Sequence, residues 1–239
     1  MNRRDFVALA TIAFGANRAV AGPLPASTGA EFKIGGEEFR LADVLAPAPD
    51  EPFAGESSKA LNRLFDQGRL DFIDTAERDR WNRRVVAVSV EARSGVMSVQ
   101  EELAREGGVR VRPESADHGA ISRLLLAERE ARAARRGLWG LPYYMVRDAA
   151  SHRATGAFYL IEGKPLSAAV VKGRAYLNFG DDYRTDVTAT ASSRNAKRWA
   201  KAGLDWKSLA GAVLRIRGYV AAINGPSIEI EHKLQIEPL

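Results

Sequence analysis

Cysteine is absent from the 239 residues. That excludes disulfides, thiolate metal sites, a cysteine nucleophile and a lipid-anchor cysteine. It is neutral about compartment, since a protein can be exported without needing disulfides. Histidine is scarce: His118, His152 and His232 are far apart and show no metal-ligand spacing. An excess of one charge is also small. Residues 1–21, with Arg3, Arg4 and Arg18 against Asp5, supply +2 of the net +5, leaving +3 for the rest. That balance is compatible with a polyanionic partner without requiring one. What is present is ordinary for a soluble globular chain, 46% hydrophobic and 27% charged. The length suits one large domain or two small ones.

The N-terminus reads as an export signal over residues 1–21. Asn2-Arg3-Arg4-Asp5-Phe6-Val7 is followed by an apolar run, Phe6 to Ala16, which is too short to cross a bilayer. Ala19-Val20-Ala21 then offers a small-x-small cleavage site. The first motif resembles the twin-arginine signature, which implies delivery of a folded protein to the periplasm or beyond. Residues 22–30 read as a flexible tether rich in Pro, Gly, Ser and Thr.

The next stretch alternates strand and helix patterns. Glu31–Ile34 and Glu37–Val44 read as strands about Gly35-Gly36, with Arg40 leaving the strand and Pro47 closing it. Residues 55–67, 98–106 and 121–136 have helical apolar spacing. Strands are expected at 70–73, 84–90 and 109–111, with a charged hairpin, 74–83, before the second of these. That hairpin contains Asp79-Arg80-Trp81-Asn82-Arg83.

In this order and spacing, residues 31–140 resemble the thermonuclease, or staphylococcal-nuclease-like, domain. The resemblance is carried by Phe39-Arg40-Leu41 with Pro47, Gly55-Glu56, the hairpin motif, Gln100 to Gly107, and Glu128, Ala131, Arg132 and Gly137-Leu138-Trp139. It implies a mainly β, α+β architecture: a five-stranded OB barrel with three helices. It also implies calcium-dependent phosphodiester cleavage, with two arginines on the phosphate, aspartate ligands for calcium and a glutamate near the attacking water. Arg40 and Arg83 match the two arginines, and Arg84 competes with the second. The ligand aspartate falls on Leu45, the threonine after it on Ala46 and the glutamate on Ala48. Aliphatic side chains offer a divalent cation no ligand. Glu31, Asp43, Asp50 and Glu51 are weak replacement candidates for the metal. Without such help, Arg40 and Arg83 serve either as an anion clamp or as structural partners of Glu31, Asp43 or Asp79.

Residues 141–157 read as a linker and 158–239 as a second, smaller OB-like barrel of short strands with one helix. Its candidate binding residues are Tyr176 and Phe179 for stacking, and Arg215 and Arg217, which alternate with Leu214 and Ile216 on one expected outward face. The expected function is an exported, catalytically degenerate nuclease-like binding module without a cofactor. Its expected partner is single-stranded nucleic acid, another anionic ligand or an envelope protein. The competing readings are a calcium-dependent nuclease acting on DNA or RNA through relocated carboxylates, and a purely structural envelope protein.

Overall fold

The computed structural model describes residues 18–20, 26–76, 78–93 and 95–239. The export reading on residues 1–17 and 21, and the tether reading on residues 22–25, lie outside this set. The fold is mixed α+β, with four α-helices and several sheets among the described residues, none of them closed. No helix there is long and apolar enough to cross a membrane. Contacts divide the chain into two compact units, residues 1–110 with 123–133, and residues 111–122 with 134–239.

The first unit runs β1 (Arg18–Val20), β2 (Glu31–Ile34), β3 (Glu37–Leu41), β4 (Val44–Leu45), α1 (Ala54–Phe65), β5 (Arg69–Asp74), β6 (Arg84–Ala92), β7 (Gly95–Ser98), α2 (Val99–Glu106), β8 (Arg110–Val111) and α3 (His118–Ala133), the last two continuing past the unit's edge. Its main sheet has the order β1-β5-β6-β3-β2, with β7 added on β6. Only the β3–β6 pair is parallel. The apolar side of that sheet gathers Phe32, Phe39, Phe65 and Phe72, with ring centroids 5.0 to 6.2 Å apart. Such spacing gives stacked and edge-on contacts beyond simple burial. From α2, buried Gln100 accepts from the Val88 N–H and donates to the Val86 carbonyl, both at 3.1 Å. The helix is thereby fixed to β6 by an amide acting like a strand neighbour.

The single strand expected over Glu37–Val44 is broken. Residues 42–43 turn, and Asp43 sits at φ 61, a left-handed conformation that aspartate tolerates better than most residues. Residues 26–30, read as a tether, are held in place. The Ala26 N–H donates to Asn62 Oδ1 at 2.8 Å, and Ala30 is buried. Gly29 is needed there, because a Cβ would fall 1.6 Å from Ser57 Oγ.

The second unit runs β9 (Arg147–Asp148), β10 (Phe158–Gly163), β11 (Ser167–Val171), β12 (Arg174–Asn178), β13 (Thr188–Ala191), α4 (Ser193–Lys201), β14 (Leu214–Ala222), β15 (Pro226–Glu229) and β16 (Ile236–Pro238). The sheet order is β11-β12-β13-β15-β14-β10-β9, with β16 added on β14. Alternate residues such as Leu177, Ala189, Ile228 and Val220 enter one core with Trp199 and Trp206, as the two-residue period of a strand requires. The stretch 141–157, expected as a linker, holds β9 and places Ala149 in that core.

Candidate functional site

The two arginines meet because of strand order. β3 lies between β2 and β6, so Arg40 faces Glu31 on one side and Val85 on the other. Arg83 ends the hairpin one residue before β6 begins. That hairpin closes through the Asp79 N–H to the Arg83 carbonyl at 3.0 Å, with Asn82 at φ 64. Asparagine is one of the few side chains that accepts this backbone.

Asp79 is the centre of the arrangement. Its Oδ1 accepts the backbone N–H groups of Trp81 and Arg83, each at 3.0 Å. Its Oδ2 accepts Arg83 Nε at 2.8 Å and Arg40 Nε at 3.4 Å. Arg83 Nη1 donates in addition to Glu31 Oε1, and Arg40 Nη1 to the Leu41 carbonyl at 3.2 Å. Burial would raise the Asp79 pKa, but the Arg83 side chain and the two backbone donors outweigh it and hold the carboxyl below its ordinary value. Burial likewise works to lower Arg83, yet Asp79 and Glu31 keep it above its ordinary value. The Arg83 guanidinium also lies 4.6 Å from the Trp81 ring centre, and Arg80 lies 3.8 Å from it.

Both expected phosphate-clamping arginines are therefore brought together, and both are occupied. A shallow cavity of about 230 Å³ beside Arg83 is lined by Glu31, Lys33 and Glu38 as well. Its two cations face two carboxylates, with Lys33 on Glu38 at 2.8 Å. A phosphate entering it has to compete with charge-assisted bonds already made. Arg84 is also engaged, with Asp74 at 3.0 Å through Nε and with Glu37 at 3.7 Å. The bond to Asp74 is the chief reason its pKa is raised.

The metal positions do not fit a cation. Leu45 is half-buried, Ala46 buried and Ala48 exposed. The replacement carboxylates do not gather. Glu31 is on Arg83. Glu51 accepts the Ala48 N–H at 2.9 Å and Arg110 at 3.1 Å. Asp43 is buried in its turn, and Asp50 is exposed. Among the described residues no group of three or more His, Asp or Glu side chains could hold a metal ion.

In the second unit the expected outward face of β14 is a correction. Arg215 and Arg217 do share a face, but it is buried, with Arg217 fully enclosed. Arg215 Nε donates to Glu162 Oε1 at 2.7 Å. Arg217 binds Glu237 through Nε at 3.2 Å and through Nη2, and donates from Nη1 to the Val111 carbonyl at 2.9 Å. The cause is β16, which pairs Glu237 opposite Arg215. Phe179 lies in the core, whereas Tyr176 lines an open face of the sheet. Sequence separation also hid a meeting of histidines: the rings of His118 and His232 lie edge to face, 5.0 Å apart.

No curated protein matches the chain. Residues 38–140 match the family model described as staphylococcal nuclease homologue, which supports a thermonuclease-like domain over that stretch.

Proposed function

We propose that this is an exported, catalytically degenerate nuclease-like protein that works as a binding module for nucleic acid, another anionic ligand or a protein. The observation that carries the reading is the closed network of Glu31, Arg40, Asp79 and Arg83, together with aliphatic residues at positions 45, 46 and 48. Phosphodiester cleavage of this type needs oxygen ligands for a cation, a positioned base and free cationic groups for the phosphoryl charge. Loss of a general base alone costs about 10²- to 10⁴-fold in rate.

The finer fold reading is a five-stranded OB barrel with three helices, followed by a smaller OB-like barrel. The match over residues 38–140 supports the first. The strand order β12-β13-β15-β14-β10, with its parallel β13–β15 pair, supports the second. Export is supported by the order of basic, apolar and small-residue segments in residues 1–21. Replacing Arg3 and Arg4 with lysine should retain the protein in the cytoplasm, and unchanged delivery would refute the twin-arginine route.

The test of degeneracy is incubation with single-stranded DNA and calcium. No endonucleolytic product is expected. Products that vanish with chelator and in Arg83→Ala would establish an active calcium-dependent nuclease instead.

A further inference from the structure

One face of the second unit's sheet is covered by its core, and the opposite face forms a trough of about 770 Å³. Register builds it. Ala169 pairs with Tyr176, Tyr176 with Thr190, and Thr190 with Glu229, so a single row crosses four strands. A second row runs Asn178, Thr188, Ser227 and Ala221. Strand periodicity puts both rows on the side away from Leu177, Ala189 and Ile228. The floor is thus made of short side chains. The walls are tyrosines, Tyr176 with Tyr183 and Tyr219, and the rim adds Val171 and Ile223. Four of these large groups stand out into solvent: Val171 54%, Tyr183 51%, Tyr219 55% and Ile223 62% exposed. Tyr219 is nonetheless held at its base by an edge contact with Phe158, the ring centroids 5.5 Å apart.

Charge decides what such a trough can hold. Only two of its 14 lining residues are charged, Arg174 and Glu229, and they pair with each other. That is about half the 27% charged content of the whole chain. Depletion of charge with enrichment of tyrosine and a single arginine is the pattern of a protein–protein interface core. A polyanion needs several uncompensated cations to neutralise its phosphates, and this lining has none.

The Arg174–Glu229 pair is held in place with half its atoms unused. Arg174 Nη2 bonds Glu229 Oε2 and Thr190 Oγ1, and Thr190 Oγ1 donates to the same Oε2 at 2.7 Å. Arg174 Nε and Nη1 and Glu229 Oε1 make no hydrogen bond among the described residues. Donors beside an acceptor match the carbonyl and N–H of a peptide backbone. The trough also borders β11, the end strand of the sheet, whose Ser167–Val171 sequence carries neither charge nor proline. Those are the usual guards of an exposed sheet edge.

We infer that the trough binds an extended, uncharged polypeptide segment of a partner protein. Its apolar or aromatic side chains lodge between Tyr176, Tyr183 and Tyr219, and its backbone bonds to the free half of the Arg174–Glu229 pair. An extended strand presents a side chain to one face every ~6.6 Å, so alternate residues enter the floor between the tyrosines. The inference rests on the reading of the protein as a binding module, and it names the partner class.

The test uses short random peptides displayed on phage and selected on the full-length protein. Enriched peptides are then synthesised, labelled and titrated by fluorescence anisotropy. The expected peptides carry little net charge and place apolar or aromatic residues at alternate positions. Their affinity should fall by about tenfold or more in Thr190→Arg, which fills the floor, as truncating an interface hot spot does. It should change little as salt rises, since no phosphate is neutralised. Should Thr190→Arg melt early by circular dichroism, Tyr183→Ser and Ile223→Ser on the exposed rim supply the same comparison. Three results would overturn the inference: no enrichment over a blank surface, enrichment of strongly charged peptides, or affinities indifferent to every trough variant. Oligothymidine that displaces the peptides and loses binding in the same variants would reassign the trough to single-stranded nucleic acid. Cleavage by the first unit, found in the DNA assay, would defeat the degenerate reading and leave peptide binding standing.

Discussion

Arginine is used in opposite ways in the two units. In the first, Arg40 and Arg83 converge on Asp79, and Glu31 takes a further donor of Arg83. In the second, Arg174 meets Glu229 on an open face and keeps donors to spare. Arg217 with Glu237 shows a third condition, a pair enclosed by the sheet. An arginine retained at a familiar motif position thus need not be available to a ligand. Availability depends on which carboxylates the fold delivers to it. Asp79 arrives four residues before Arg83, and Glu31 arrives from another strand 52 residues away.

The largest expected effect comes from breaking the enclosed pairs. Removing one partner of a buried ion pair costs about 3–5 kcal/mol, because the other charge is left uncompensated. Urea unfolding of Glu237→Ala should show a loss of that order, and Asp79→Ala a smaller one, because Asp79 is only partly buried. A change in Asp79→Ala no larger than that of an ordinary surface substitution would mean that the arginines are not anchored there. Glu229→Ala should cost less than about 1 kcal/mol, since the trough pair is partly exposed to water.

Acid sharpens the same contrast. Asp79 has a folded pKa below its ordinary value. Its contribution to stability is therefore complete above the unfolded aspartate value of about 3.9 and is lost as pH falls through the lower folded value. Unfolding midpoints measured below about pH 4 should drop more steeply in the wild type than in Asp79→Asn. Parallel slopes in the two proteins would remove Asp79 from the account.

Calcium should have the smallest effect. A ligand that binds the native state raises the melting temperature in proportion to ln(1 + [L]/Kd). With Leu45, Ala46 and Ala48 at the aligned positions, calcium should leave the wild-type melt where it was. A saturable rise that is absent in Asp43→Asn would show a relocated site.

Local features of the sequence were legible. Strands 31–34 and 84–90 and the helices near 55–67 and 98–106 read correctly, because amphipathic periodicity and glycine stops are local signals. The break at Asp43 had a cue, since aspartate accepts left-handed backbone, but Asp43 sat inside a credible strand pattern. Arg215 and Arg217 misled for a physical reason. Alternation fixes which residues share a face, but not which face is covered. The cover came from Glu162 and Glu237, distant in sequence and both brought opposite Arg215 by strand register, with Glu237 also reaching Arg217. The trough had no compact signature, because its short side chains are dispersed over β11 to β15. At the first site, Arg40, Asp79 and Arg83 could each be found in the sequence, as could the aliphatic residues at 45, 46 and 48. That the arginines were already occupied could be seen only with Glu31 and Asp79 in place.

The most direct measurement follows the Arg83 Nε–Hε resonance by NMR while a thymidine dinucleotide is titrated in with calcium. A guanidinium held by Asp79 and Glu31 should keep its resonance unchanged throughout. A saturable shift of that resonance, lost in Arg83→Lys, would show that the phosphate displaces the carboxylates and that the clamp is still in use.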